Sequence, residues 1–231
     1  MISVCIAMYN GDRFLRDQIS SILLDLEKDD EIIVIDDCSS DSSLKILDSF
    51  QDDRIKIYGN DRNIGVIKSF EKAIKLSTGH FIFLCDQDDI WIKGKREKML
   101  DGLRYHQLVV CNADIIDQNG HPTGDGFFKI RNSGSGFVKN LIKNTYIGCC
   151  MAFRSELKEM IMPFPDKIPM HDQWIGLMSE TKSPSLFIED RLVGYRRHSG
   201  NVTSMKRGSW ASVSLKRINI LLAILHRKIS K

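Results

Sequence analysis

The sequence predicts an α/β fold with a mostly parallel central sheet covered by helices on both faces. Three observations carry this reading. Short, almost wholly apolar runs alternate with stretches of helical period through the first half. Such runs are the mark of strands buried on both sides. Polar residues collect directly after three of the runs, at what becomes the carboxyl edge of the sheet, where ligands bind in folds of this class.

Taken in order, Ile2–Met8 reads as a buried strand. Phe14, Ile19, Ile22, Leu23 and Leu26 follow at helical spacing. Glu31–Ile35 is a second strand, then a Ser/Asp turn and a helix through Leu44, Leu47 and Phe50. Ile55–Tyr58 is a third strand, and Val66, Phe70, Ala73, Ile74 and Leu76 mark the next helix. His80–Cys85 is a fourth strand. The second half is less regular. Leu108–Cys111 and Ile147–Phe153 read as strands, with an Asn119-Gly120 turn between them. Pro163, Pro165 and Pro169 mark a loop that leads into a short helix at His171–Met178. Leu186–Ile188 and Leu192–Tyr195 read as two short strands, and Ser209–Lys231 as a terminal helix.

A chain of 231 residues fits one domain with a small appendage and buries a full core without disulfides. Net charge is only +3, which excludes nucleic-acid binding by composition. The end is different: from Lys206 onward there are basic residues and no Asp or Glu. None of the six cysteines has zinc-site spacing. They read as reduced core thiols, and the expectation is a cytoplasmic protein. The start lacks the basic region of a signal peptide. No run reaches the roughly 18 apolar residues of a membrane span.

Asp86-Gln87-Asp88-Asp89 is the strongest chemical signal. Three carboxylates on four residues repel one another unless a cation or several donors compensate. Mg or Mn is the natural partner, bridging carboxylates to a diphosphate. One of the three, Asp89, also fits a helix cap. Asp36-Asp37, followed by Ser39, Ser40 and Asp41, is a second acidic tip. Asp41 reads as a cap, whereas Asp36 fits either a turn or an acceptor for a pyrimidine N–H. Tyr9, in Tyr9-Asn10-Gly11-Asp12, fits a base-stacking residue or a plain turn. Arg62, in Arg62-Asn63-Ile64-Gly65, can reach a phosphate. No glycine-rich phosphate loop is present, so phosphate binding falls to the acidic cluster with a metal. Asp172, between His171 and Gln173-Trp174, fits a helix cap or a general base. Tyr195-Arg196-Arg197-His198-Ser199-Gly200-Asn201 offers cations and a histidine, His198, to a diphosphate or metal.

Together, Val4–Asn10, Asp36–Asp41, Arg62–Gly65, Asp86–Trp91, His171–Trp174 and Tyr195–Asn201 resemble the inverting family 2 glycosyltransferases of GT-A fold, and more loosely the bacterial rhamnosyltransferase-like members. The resemblance covers residues 2 to about 205. It implies a catalytic domain over 1–205, with a nucleotide-sugar half, 1–112, and an acceptor half, 113–205. A basic amphipathic helix occupies 206–231. It also implies roles: Tyr9 and Asp36 at the base, and Asp86 and Asp88 as the D-x-D pair on ribose and metal. His198 is implied at the metal or diphosphate, and Asp172 as catalytic base. Gly134-Ser135-Gly136 and Gly148 are candidates for acceptor contacts.

The implied reaction moves a sugar from a nucleotide-sugar donor, dTDP-rhamnose or a UDP-hexose, to a hydroxyl of a glycan or lipid-linked oligosaccharide. A divalent ion is implied, within bacterial surface polysaccharide synthesis. A nucleotidyltransferase is one alternative, weakened because Met8–Phe14 lacks the basic glycine-rich loop such enzymes use. A non-catalytic nucleotide-sugar binding module is the other; it has no need of Asp172. In the tail, Trp210, Val213, Ile218, Leu221, Leu222 and Leu225 can share a helical face beside Lys216, Arg217, Arg227 and Lys228. Peripheral docking at the inner face of the plasma membrane, packing on the domain, and a homodimer all remain open.

Overall fold

The computed structural model describes residues 1–198 and 210–229, with no account of the side chains of residues 210–212. The motif residues Ser199–Asn201 and the boundary at 205/206 lie outside the described residues. The elements in chain order are β1 (Ile2–Met8), α1 (Asp12–Leu23), β2 (Glu31–Asp36), α2 (Ser43–Asp48), β3 (Ile55–Gly59), α3 (Val66–Leu76), β4 (Phe81–Cys85) and β5 (Ile90–Trp91). They continue with α4 (Lys95–Leu103), β6 (Leu108–Ile116), α5 (Phe127–Arg131), α6 (Phe137–Ile142) and β7 (Met151–Arg154). The last are α7 (Lys158–Ile161), α8 (His171–Glu180), β8 (Leu186–Arg196) and α9 (Trp210–Ile229).

One sheet of eight strands, ordered β3-β2-β1-β4-β7-β6-β8-β5, runs through the molecule. β3, β2, β1 and β4 are parallel, β7 is antiparallel to β4 and β6, and β6 pairs parallel with β8. The runs Ile2–Met8, Glu31–Asp36 and Phe81–Cys85 are almost wholly buried, as their apolar composition requires. β3 is half exposed because it closes one edge. The chain walks outward from β1 to β2 to β3, then returns to place β4 on the other side of β1. This reversal opens a crevice between the carboxyl ends of β1 and β4, the place where α/β sheets bind ligands.

The second half departs from the sequence expectation in three ways. The segment read as a strand over Ile147–Phe153 begins as a 3-10 turn, Gly148–Cys150, and only Met151–Arg154 joins the sheet. The two short strands expected at 186–188 and 192–195 are one strand, β8, with register shifts opposite Cys111, Asn112 and Ala113. The bulge accommodates the polar residues between the apolar runs. The terminal helix forms as expected, but a different face packs. Ile220 and Ile224 are buried, while Ile218, Leu221, Leu222 and Leu225 are exposed. Arg227 donates to the carbonyls of Met160, Met162 and Pro163 and lies over the Trp174 ring. It therefore fastens the helix to the body rather than adding to a free basic surface. All six cysteines are free thiols, five of them buried and Cys38 exposed. Among the described residues, no helix is long and apolar enough to cross a membrane.

Candidate functional site

The crevice is built from loop tips that hold one another by hydrogen bonds. Gln87 reaches from the end of β4 to the end of β1, where its Oε1 accepts from the Tyr9 N–H at 2.8 Å and its Nε2 donates to the Tyr9 carbonyl at 3.0 Å. Gly11 leaves room beneath: a Cβ there would lie 2.8 Å from the Gln87 amide and would push that side chain off Tyr9. The tips of β1 and β2 are joined in the same way. Asn10 accepts from the Ser40 N–H, its own N–H donates to Ser39 Oγ, and the Gly11 N–H donates to Ser43 Oγ.

Asp36 and Asp37 divide two tasks. Asp37 accepts from the N–H groups of Ile64 and Gly65 and from Asn60 Nδ2, so it shapes the turn that carries Arg62. Asp36 is 5 % exposed and uses one oxygen to accept from the Ser39 N–H at 3.1 Å. Tyr9 leaves its ring half exposed at the rim. Arg62 is exposed beside a shallow depression bounded by Gly59, Asn60, Ile64 and Lys72. Asp41, expected as a helix cap, accepts from the N–H of Ser43, the first residue of α2, and also from that of Asp12, tying α2 to the start of α1.

The acidic loop is split in two. Asp88 turns toward the end of β8, where its Oδ2 lies 2.8 Å from His198 Nε2, both side chains being largely shielded. Asp86 turns inward, and one of its oxygens lies with an Asp89 oxygen and the Cys149 sulfur in a group spanning at most 4.8 Å. Burial, then the charges of Asp89, Asp88 and Asp172, hold the Asp86 carboxyl well above the usual range, with Lys95 opposing. Burial first, and then Asp88, push Asp89 up to about 7. Asp89 is not a helix cap. Its Oδ1 accepts from the Arg196 N–H at 2.9 Å, and its buried Oδ2 has no N–H or O–H partner, only the Cys149 thiol being near the carboxyl. A buried carboxylate with only a thiol for that oxygen, in a cluster of acids, is the arrangement a bound cation would relieve.

Asp172 comes from α8, near enough to Asp86 for its charge to raise that carboxyl. The N-cap of α8 is Met170, so Asp172 sits inside the first turn rather than capping it. It is 8 % exposed and accepts from the Gln173 N–H and from Asn144 Nδ2 at 3.3 Å. Burial pushes its carboxyl up to about 6, against the pull of the Gln173 N–H, Asn144 and Arg131. The start of α8 is pinned by close packing, since a Cβ at Gly148 would lie 2.9 Å from His171 Nε2. His171 itself stacks on Phe70 at 4.1 Å, and burial lowers its pKa to about 3. The Gly134-Ser135-Gly136 stretch is held by Glu180, which accepts from Ser135 Oγ and the Gly136 N–H.

The structure thus pairs Asp88 with His198 and groups Asp86 with Asp89 and Cys149, with Asp172 near enough to act on Asp86; Tyr9 and Asp36 stand at the ends of β1 and β2, and Arg62 lies apart, in the turn before α3. Several residues that organise the site escape a reading of motifs. Arg196, read from sequence as a cation for a diphosphate, is 2 % exposed. Its Nε donates to the Asp88 carbonyl at 2.7 Å and its Nη1 to the Gln118 carbonyl at 2.9 Å, while its guanidinium lies 4.6 Å from the Phe14 ring. His198 packs against the same ring, at 4.7 Å between centroids. Lys95 is wholly buried, donates to the Cys149 carbonyl at 2.7 Å and sits 4.3 Å from the Trp91 ring. A lysine on the same helix face as Met99 and Leu103 is the sequence signal that could have marked it.

Residues 3–161 match the sequence profile of Glycosyl transferase family 2. A UDP-Glc:alpha-D-GlcNAc-diphosphoundecaprenol beta-1,3-glucosyltransferase of Escherichia coli, WfgD, is 28 % identical over 211 residues, 89 % of this chain and 81 % of that protein. A dTDP-rhamnosyl transferase of Shigella flexneri, RfbG, is 27 % identical over 220 residues, 84 % of this chain and 72 % of that one. The crystal structure of Staphylococcus aureus TarS residues 1–349 with UDP-GlcNAc superposes with a TM-score of 0.72 at 19 % identity, covering 99 % of this chain and 72 % of that one. That likeness carries the fold, a GT-A-like α/β sheet, and the sequence match carries the family. The chain belongs to glycosyltransferase family 2.

Proposed function

We propose that this glycosyltransferase moves a hexose, from dTDP-rhamnose or a UDP-hexose, to a hydroxyl of a glycan or lipid-linked acceptor, inverting the anomeric centre, in bacterial surface polysaccharide synthesis. The observation that carries the reading is the convergence of two carboxylate groups on one crevice. Asp86 and Asp88 lie at the sheet switch point, and Asp172, with its raised pKa, lies close enough to bias Asp86 electrostatically. WfgD and RfbG, whose names state UDP-glucose and dTDP-rhamnose as donors, support both donor classes.

In this reading Tyr9 stacks on the base and Asp36 accepts its N–H, while Arg62 approaches a phosphate from the rim. Asp86, Asp88 and His198 would hold Mg or Mn, and their hard oxygen donors and imidazole suit such an ion. The Asp89 oxygen, with no N–H or O–H partner, fits the same need. When bound, the ion supplies Lewis-acid neutralisation of the leaving diphosphate. Asp172 takes the proton of the acceptor hydroxyl as its oxygen bonds to the anomeric carbon, and the carbon–oxygen bond to the diphosphate breaks with its electron pair. Asn144 fixes the orientation of the Asp172 carboxyl, and a base with a pKa of about 6 is ionised at neutral pH yet still basic enough to accept. Residues 1–112 serve the donor and 113–205 the acceptor. The C-terminal helix gives peripheral contact with the inner face of the plasma membrane.

The test is a donor screen on the purified protein with Mn2+, across UDP- and dTDP-sugars, following heat of binding and release of nucleoside diphosphate. Binding with turnover supports the enzyme. Binding without any transfer or hydrolysis, across all acceptors tried, reduces the chain to a binding module.

A further inference from the structure

α9 is not the only part of this surface that lacks acids. Residues 127–144 contain Lys129, Arg131, Lys139 and Lys143 and no Asp or Glu, and neither does any residue from 206 to 231. These two stretches are far apart in sequence, yet α6 packs against α9. Both leave large apolar side chains in solvent: Ile130, Val138 and Ile142 on the first, and Leu215, Ile218 and Leu222 on the second. Val138 is 65 % exposed and Leu222 58 % exposed, although each belongs to a helix with a buried opposite face. Two acids border this surface, Asp125 paired with Lys129 and Glu180 held by Ser135 and Gly136, and cations outnumber them; exposed aliphatic groups beside a net excess of cations are the composition of a surface that meets anionic lipid.

We propose that residues 127–144 and α9 form one docking surface for an anionic bilayer, which presents a lipid-anchored acceptor to Asp172. The proposal rests on the glycosyltransferase reading and adds to it a second membrane-facing segment, residues 127–144, that joins the docking surface to the wall of the site. A second copy of the chain is a poor occupant, because a two-fold contact would set two surfaces with an excess of cations face to face. A bilayer carrying anionic head groups complements the charge and receives the aliphatic side chains at once. The surface is also wired to the base. Lys143 Nζ donates to the Arg131 carbonyl at 2.9 Å, Arg131 Nη2 donates to the Asn144 carbonyl at 3.1 Å, and Asn144 Nδ2 donates to Asp172. An acceptor anchored in that bilayer would therefore meet the base at the edge of the docking surface.

The experiment is flotation of the full chain with phosphatidylglycerol/phosphatidylcholine vesicles and with pure phosphatidylcholine vesicles, at low and high salt. Two double variants accompany it, Val138→Ser with Ile142→Ser and Ile218→Ser with Leu222→Ser. Calorimetric binding of UDP with Mn2+ checks that each remains folded with an intact donor crevice. The wild type is expected to float with the anionic vesicles only, and less so in high salt. Each double variant is expected to lose about tenfold or more in partitioning, since both segments insert. Wild-type-like flotation of the 138/142 variant, with loss in the 218/222 variant, overturns the joint surface and leaves α9 alone. Equal binding to neutral vesicles, no binding at all, or a dimer that both variants dissolve also overturns it. Vesicle binding without any sugar transfer would instead count against the glycosyltransferase reading alone.

Discussion

Replacing Asp172 by Asn separates its chemistry from its structural cost. The carboxyl moves from 3.8 to about 6 on folding, chiefly through burial. The folded state thus holds a proton more tightly than the unfolded chain, so stability falls as pH rises through that window. Above about pH 7 the ionised group destabilises the protein by up to about 3 kcal/mol, at 1.36 kcal/mol per pH unit. The amide of the Asp172→Asn variant would keep an oxygen for the Gln173 N–H and the Asn144 side chain and would carry no charge. The substitution should therefore raise the melting temperature at neutral pH, by an upper limit of about 6–12 °C for a chain of this size. The gain should shrink as pH falls through that window and vanish only below about pH 3, where Asp172 is protonated in both the folded state and the unfolded chain. Transfer should drop by about 10²-fold or more, while UDP binding persists. Wild-type turnover should itself decline below about pH 6. The measurements are thermal melts across pH for both proteins and a transfer assay. A lower melting temperature at neutral pH, or a difference that ignores pH, would refute the account and make Asp172 a structural hydrogen-bonding residue.

Asp88→Asn should abolish transfer without altering the fold, and excess EDTA should do the same to the wild type; full activity in EDTA would remove the metal from the mechanism. His198→Ala should weaken UDP binding more than uridine binding, because the proposed reading sets His198, which meets Asp88 at 2.8 Å, against the diphosphate. Equal weakening of both by calorimetry would argue against that placement. Arg196→Lys keeps the charge but not the fork that reaches the carbonyls of both Asp88 and Gln118. It should lower both donor affinity and melting temperature, by about 1.5–3 kcal/mol in stability for each lost charged hydrogen bond. Unchanged donor affinity would show that the acidic loop holds its shape without the clamp.

The parallel half of the sheet is legible in the sequence alone, because Ile2–Met8, Glu31–Asp36 and Phe81–Cys85 are apolar along nearly their whole length and have no alternative to burial on both faces. Which tips carry carboxylates is equally legible, since a strand end is read directly from where an apolar run stops. How the acids divide is not. Asp86 joins Asp89 and Cys149, and Asp88 joins His198, because the loop after β4 is folded by contacts with Tyr9 and Arg196, which lie 78 and 108 residues away in sequence from their partners Gln87 and Asp88. The docked face of α9 was equally hidden. Apolar residues occur all around that helix, so periodicity leaves the choice open, and the carbonyls of Met160 and Met162 select the side that bears Arg227, Ile220 and Ile224. Local pattern fixes which segments must be buried, whereas pairing, electrostatic grouping and the facing of a two-sided helix are long-range choices that only the packed chain makes.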